Sequence, residues 1–163
     1  MNDQLPADFV VEDAQSMRAL GAMVATWVAA GDVVVLSGPL GAGKTTWVQG
    51  FAEGLGVRGP ITSPTFVIAR SHPSVVDGPA LVHVDAYRLN AAIEFEDLGL
   101  DADLDRSVVV VEWGDDVAEV LSDDRLVVRI ERCEVSEVTA AHGADGPRRV
   151  RVVGYGTRWV EPL

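Results

Sequence analysis

Val33-Val34-Val35-Leu36-Ser37-Gly38-Pro39-Leu40-Gly41-Ala42-Gly43-Lys44-Thr45-Thr46 opens with a continuous apolar run dominated by β-branched residues. Such a run suggests a strand buried on both faces. Glycine-rich sequence follows, and Thr45 to Leu55 then reads as a helix stopped by Gly54 and Gly56. Gly38 to Thr45 fits the pattern G-x-x-x-x-G-K-[ST] without mismatch, between a strand and a helix, where its mechanism requires it. Glycines let a backbone wrap round phosphates in conformations that other residues resist. Successive N–H groups and the helix N-terminus then face the anion. On this reading Gly38, Gly41, Ala42, Gly43, Lys44, Thr45 and Thr46 hold the phosphates of a nucleotide. Lys44 would reach the β- and γ-phosphates, and Thr45 would place its hydroxyl on Mg²⁺.

Composition supports a folded domain and gives that lysine weight. The chain has 163 residues, 48% of them hydrophobic and 23% charged, which predicts one domain with a sizeable core. Of 13 basic residues 12 are arginine, and the one lysine is Lys44. A formal net charge of −12 excludes nucleic-acid binding driven mainly by bulk electrostatics, which needs clustered Lys and Arg. No apolar run approaches the roughly 18 residues that span a bilayer. Met1-Asn2-Asp3-Gln4 lacks the basic and apolar regions of a signal peptide. A single cysteine, Cys133, excludes an internal disulfide framework. The expected compartment is the cytoplasm. Between Asp85 and Asp124 lie 13 acidic and 2 basic residues, either a set of solvated faces or a docking surface for a basic partner.

Away from the glycine-rich segment, strands and helices alternate. Met17, Leu20, Met23, Val24, Trp27 and Val28 recur at three- and four-residue steps, predicting an amphipathic helix from Glu12 to Ala30. Thr65 to Ala69, Ala80 to Val84 and Val108 to Val111 read as strands, Leu126 to Glu131 as a half-buried strand, and Val150 to Gly154 as a final one. Ala91 to Asp97 and Asp116 to Leu121 read as short helices, and Val135 to Pro147 as an exposed loop. The expected fold is an α/β, P-loop NTPase-like sandwich: a mostly parallel central sheet with antiparallel edge strands and flanking helices. One domain is expected over residues 1–163, with its core at about 12–131 and C-terminal strands and a loop at 132–163.

A nucleotide site needs a carboxylate on the metal side, at the end of an apolar strand. Asp85 ends one such strand and Glu112 another, both at the carboxyl edge of a parallel sheet, where ligands bind. One can ligate Mg²⁺ and the other can orient an attacking water. Thr62-Ser63-Pro64-Thr65 lies where a loop sensing the terminal phosphate would lie. The Asn-Lys-x-Asp segment that commonly reads guanine is excluded, because the lysine is already assigned; this favours ATP. Arg58, Arg70, Arg88 and Arg106 are scattered, so no Arg-rich lid stands out. Hydrolysis is therefore the simpler reading, and a small-molecule P-loop kinase is the alternative.

The motifs also stand in a particular order. Ser63-Pro64-Thr65-Phe66 follows the glycine-rich loop, then His83-Val84-Asp85-Ala86-Tyr87-Arg88, Glu96-Asp97-Leu98-Gly99 and Val111-Glu112-Trp113. This series resembles the bacterial TsaE family and covers roughly Glu12 to Ile130. The resemblance implies a small cytoplasmic P-loop ATPase that serves N6-threonylcarbamoyladenosine (t6A) synthesis in tRNA. It implies ATP and Mg²⁺ as cofactors, the TsaB and TsaD proteins as partners, and tRNA contacted only indirectly. It implies Thr45 and Glu112 as metal ligands, and Asp85 and Thr65 as residues supporting hydrolysis; Asp85, Thr65 and Glu112 are the candidate catalytic set. The first helix carries Met17, with Ser16 beside it, where the family often has a Thr near the adenine. Arg148, Arg149 and Arg151 all compete for a nucleotide-proximal position in the C-terminal strands.

Overall fold

A computed structural model describes residues 5–39, 41–62, 69–85, 104–113, 122–133 and 146–159. The β-branched runs form the middle of a seven-stranded sheet: β1 (Ala7–Val11), β2 (Val33–Ser37), β3 (Ala69–His72), β4 (Ala80–Asp85), β5 (Ser107–Glu112), β6 (Arg125–Arg132) and β7 (Arg148–Tyr155). Their order is β1-β7-β6-β2-β5-β4-β3. The central neighbours β6, β2, β5 and β4 pair in parallel. The outer pairs β1–β7, β7–β6 and β3–β4 are antiparallel. The expected parallel centre with antiparallel edges is therefore the architecture observed.

Helix α1 (Ala14–Ala25) and helix α2 (Lys44–Leu55) pack against each other and against one sheet face. Trp47 and Phe51 of α2 are fully buried, with stacked rings 5.0 Å apart. They share a core with Leu20 and Val24 of α1 and with Leu36, Leu81, Val110, Val128 and Val152 of the sheet. Burying each aliphatic side chain of this kind contributes about 1.5–3 kcal/mol. The alternate residues Val35, Val84, Val109 and Val111 are buried too, so the central strands are covered on both faces. The helices meet backbone to backbone. A Cβ on Gly50 would lie 1.9 Å from the Arg18 carbonyl oxygen, and one on Gly21 would lie 2.2 Å from that of Trp47. Among the described residues no helix is long and apolar enough to cross a membrane.

Several boundaries differ from expectation. The first helix stops at Ala25 rather than Ala30. Thr26 donates its hydroxyl to Met23 O, and Asp32 takes the Ala29 N–H at 2.7 Å, turning the chain into β2. Asp13 caps the other end by accepting from Ser16 N–H at 2.7 Å. Helix α2 runs through Gly54, which faces the α1 backbone, and ends only at Gly56, whose φ is 75°. The expected final strand, Val150 to Gly154, is longer and runs over β7, and β1 is a strand that no sequence pattern announced. His72 is buried on β3 and donates Nδ1–H to Arg58 O at 3.1 Å. The expected helices 91–97 and 116–121, residues 65–68 of the expected third-strand segment and most of the 135–147 loop lie outside the described residues.

Candidate functional site

The glycine-rich loop leaves the carboxyl end of β2 and runs into the first turn of α2. Gly43 is the N-cap of α2 with φ 105°, a left-handed conformation that glycine adopts without a Cβ penalty. The leading amides of a helix have no intrahelical acceptor, so those of Lys44, Thr45 and Thr46 stay available to an anion. Gly38 has a different reason to lack a side chain, since a Cβ there would lie 2.5 Å from Ile130 O.

The two strand-end acids converge on this loop. In the parallel register Leu36 lies opposite Glu112, and Glu112 opposite Asp85. The loop strand and both acids therefore occupy adjacent strands at one carboxyl edge. Side chains alternate along a strand, so Leu81, His83 and Asp85 share a face with Val108, Val110 and Glu112. That face carries α2. Asp85 is 7% exposed and Glu112 is 3% exposed.

Lys44 sits between these groups. Its ammonium donates to Gly38 O at 2.7 Å and Pro39 O at 2.9 Å, and lies 3.9 Å from the centre of the Trp113 ring. Burial pushes its pKa below the usual lysine value, while the charges of Glu112 and Asp85 oppose that shift. Trp113 follows Glu112 with φ 60° and donates its backbone N–H to Leu36 O at 3.0 Å. This left-handed turn at the end of β5 swings the indole over the lysine. Glu112 accepts a 2.8 Å hydrogen bond from Nε2 of His83, whose side chain is wholly buried.

Two hollows flank the loop. One, of about 340 Å³, is lined by Gly43, Lys44, Thr45, Thr46, Glu112 and Trp113. The other, of about 470 Å³, lies toward α1 and is lined by Asp13, Met17, Ala42, Thr46 and Arg148 among others. Arg148 is buried and donates Nε–H to Ala42 O at 3.2 Å, whereas Arg149 and Arg151 point to solvent on the other sheet face. The three arginines that sequence left open are thereby separated.

The sequence-derived set Gly38, Gly41, Ala42, Gly43, Lys44, Thr45, Thr46, Asp85 and Glu112 is brought to one end of the sheet. Thr65 lies outside the described residues. Arg148 on the loop carbonyl, Trp113 over the lysine and His83 behind Glu112 add to that set. Their motifs were visible in the sequence, but their contacts were not. Among the described residues no three His, Cys, Asp or Glu side chains cluster to hold a metal ion. Glu112 and Thr45 line the same hollow, and a carboxylate with a hydroxyl would suit a hard cation such as Mg²⁺, which takes few protein ligands.

Fold and loop together define a P-loop α/β domain. The model of the family described as "Threonylcarbamoyl adenosine biosynthesis protein TsaE" matches residues 11–140. The chain belongs to the TsaE family. It is 57% identical over 144 residues to the tRNA threonylcarbamoyladenosine biosynthesis protein TsaE of Streptomyces coelicolor, covering 88% of this chain and 93% of that protein. The namesake from Mycobacterium tuberculosis is 54% identical over 129 residues, 75% of this chain and 77% of its own. The crystal structure of Bacillus subtilis YdiB superposes with a TM-score of 0.71 at 30% identity, covering 94% of this chain and 88% of that one.

Proposed function

We propose that this chain is a Mg²⁺-dependent ATPase of the cytoplasm that drives turnover in t6A modification of tRNA, acting with the TsaB–TsaD complex. The observation that carries the reading is the single lysine at the start of α2, with Glu112 ending the strand next to the loop strand and Asp85 ending the strand beyond it. In this reading the α2 amides and Lys44 hold the triphosphate. Thr45 and Glu112 hold the cation, which neutralises phosphate charge. Asp85 and Thr65 orient the attacking water. The hollow beside Met17 and Arg148 has apolar walls and polar groups that suit a nucleoside.

Family membership in threonylcarbamoyl adenosine biosynthesis supports the pathway. Phosphate release should be slow for the chain alone and faster with TsaB–TsaD, and Lys44→Ala should abolish the increase. Equal rates for wild type and Lys44→Ala in the presence of TsaB–TsaD would sink the ATPase reading. Labelled γ-phosphate on a small acceptor instead of in solution would establish the kinase alternative.

A further inference from the structure

His83 is fully buried in the middle of β4, among Val82, Val84 and, across the strand pair, Val110. A hydrophobic residue of similar volume would suit that position and avoid burying ring nitrogens. The side chain makes one hydrogen bond among the described residues, from Nε2–H to Oε2 of Glu112 at 2.8 Å. Its Nδ1 is buried without a partner among the described residues. A buried polar atom left unpaired costs stability, so the ring is retained against a local penalty. Its directed contact is the carboxylate facing the phosphate loop.

We propose that His83 is a positioning residue for Glu112. By occupying Oε2 it fixes the carboxylate rotamer and leaves Oε1 as the single oxygen presented to a cation on the bound phosphates. This deepens the preceding reading and rests on Glu112 as metal ligand. Groups hydrogen-bonded behind a ligand hold its orientation, and losing one typically weakens metal binding about 10–100-fold.

The test measures Mn²⁺ affinity by electron paramagnetic resonance, with the whole chain and a non-hydrolysable ATP analogue, alongside metal-free analogue affinity and melting temperature. His83→Leu should weaken Mn²⁺ binding about tenfold or more. It should leave metal-free analogue affinity within about twofold, while the melting temperature falls because the buried Glu112 oxygen loses its donor. His83→Gln puts an N–H near the Nε2 position and should recover most of the Mn²⁺ affinity, whereas His83→Asn is too short to do so. If His83→Leu does not fold, the Gln and Asn pair decides. Equal Mn²⁺ affinity for Gln and Asn variants, or no change in any variant, overturns the proposal. Glu112→Gln separates the two levels. If it weakens Mn²⁺ binding while His83→Leu does not, His83 is merely core. If it leaves Mn²⁺ binding unchanged, the ligand role of Glu112 falls and this inference falls with it.

Discussion

Gly50→Ala sets two effects of opposite sign against each other. Within a helix, alanine is favoured over glycine by about 1 kcal/mol, so propensity alone makes the variant more stable. Contact says the reverse. The added Cβ would stand 1.9 Å from Arg18 O and 2.6 Å from its Cα, against an ordinary contact of 3.4–4 Å. The obstacle is backbone, so no side chain can swing aside. Helices α1 and α2 must part by about 1.5 Å along that line. A gap of about 0.5–1 Å already forfeits a quarter to a half of a dispersion contact. Trp47, Phe51, Leu20 and Val24, all packed at this junction, share the loss. Overpacking of this kind costs about 1–3 kcal/mol and more where nothing can yield. After the propensity gain, a net destabilisation of about 2 kcal/mol remains, or a fall in melting temperature of about 4–8 °C at this size. Thermal denaturation followed by circular dichroism measures it. Gly21→Ala meets Trp47 O from the other helix and should act alike, with the double variant losing less than the sum because the helices have already separated. An unchanged or raised melting temperature for Gly50→Ala would refute the backbone-contact argument.

Because the chain has one lysine, a selectively labelled sample gives a single lysine signal by NMR. That signal should titrate below the ordinary value of about 10.4, fall further in Glu112→Gln, and rise when a triphosphate binds. Lys44→Ala should weaken triphosphate affinity by at least about tenfold in equilibrium binding, since a charge-assisted contact of roughly 1.5–3 kcal/mol is removed. His72 offers a test by pH. Burial pushes its pKa down, and Nε2 is enclosed without a partner among the described residues, so the folded protein resists the proton that the unfolded chain accepts below about pH 6.5. Stability should therefore be full above that pH and decline as pH falls through it, and His72→Gln should remove part of the decline in urea denaturation at pH 7.5 and 5.5.

The phosphate loop was legible because its signal is local: a β-branched run, glycines at fixed spacing, and a helix start, all within fourteen residues from Val33 to Thr46. The strand ends at Asp85 and Glu112 were legible for the same reason. What could not be read is the order of strands that sets Glu112 opposite Leu36 and Asp85 opposite Glu112, because pairing between distant segments leaves no local trace. Ala7–Val11 was missed because a five-residue edge strand is held by its partner β7, not by its own pattern. Arg148, Arg149 and Arg151 are chemically identical in the sequence, and only the pleat sends Arg148 inward while its two companions face water. His72 stands next to Pro73 with no apolar pattern around it to mark it as buried, yet β3 turns it inward.

The left-handed turn at Trp113 also gives the molecule an optical gauge of its own occupancy. Of four indoles, those of Trp47 and Trp159 are sealed in the interior, and it is Trp113 that lies against the ammonium. An anion that draws that charge away from the ring must alter the emission of this one chromophore while the two interior ones hold steady. Filling of the loop can thus be followed in real time on the unlabelled chain.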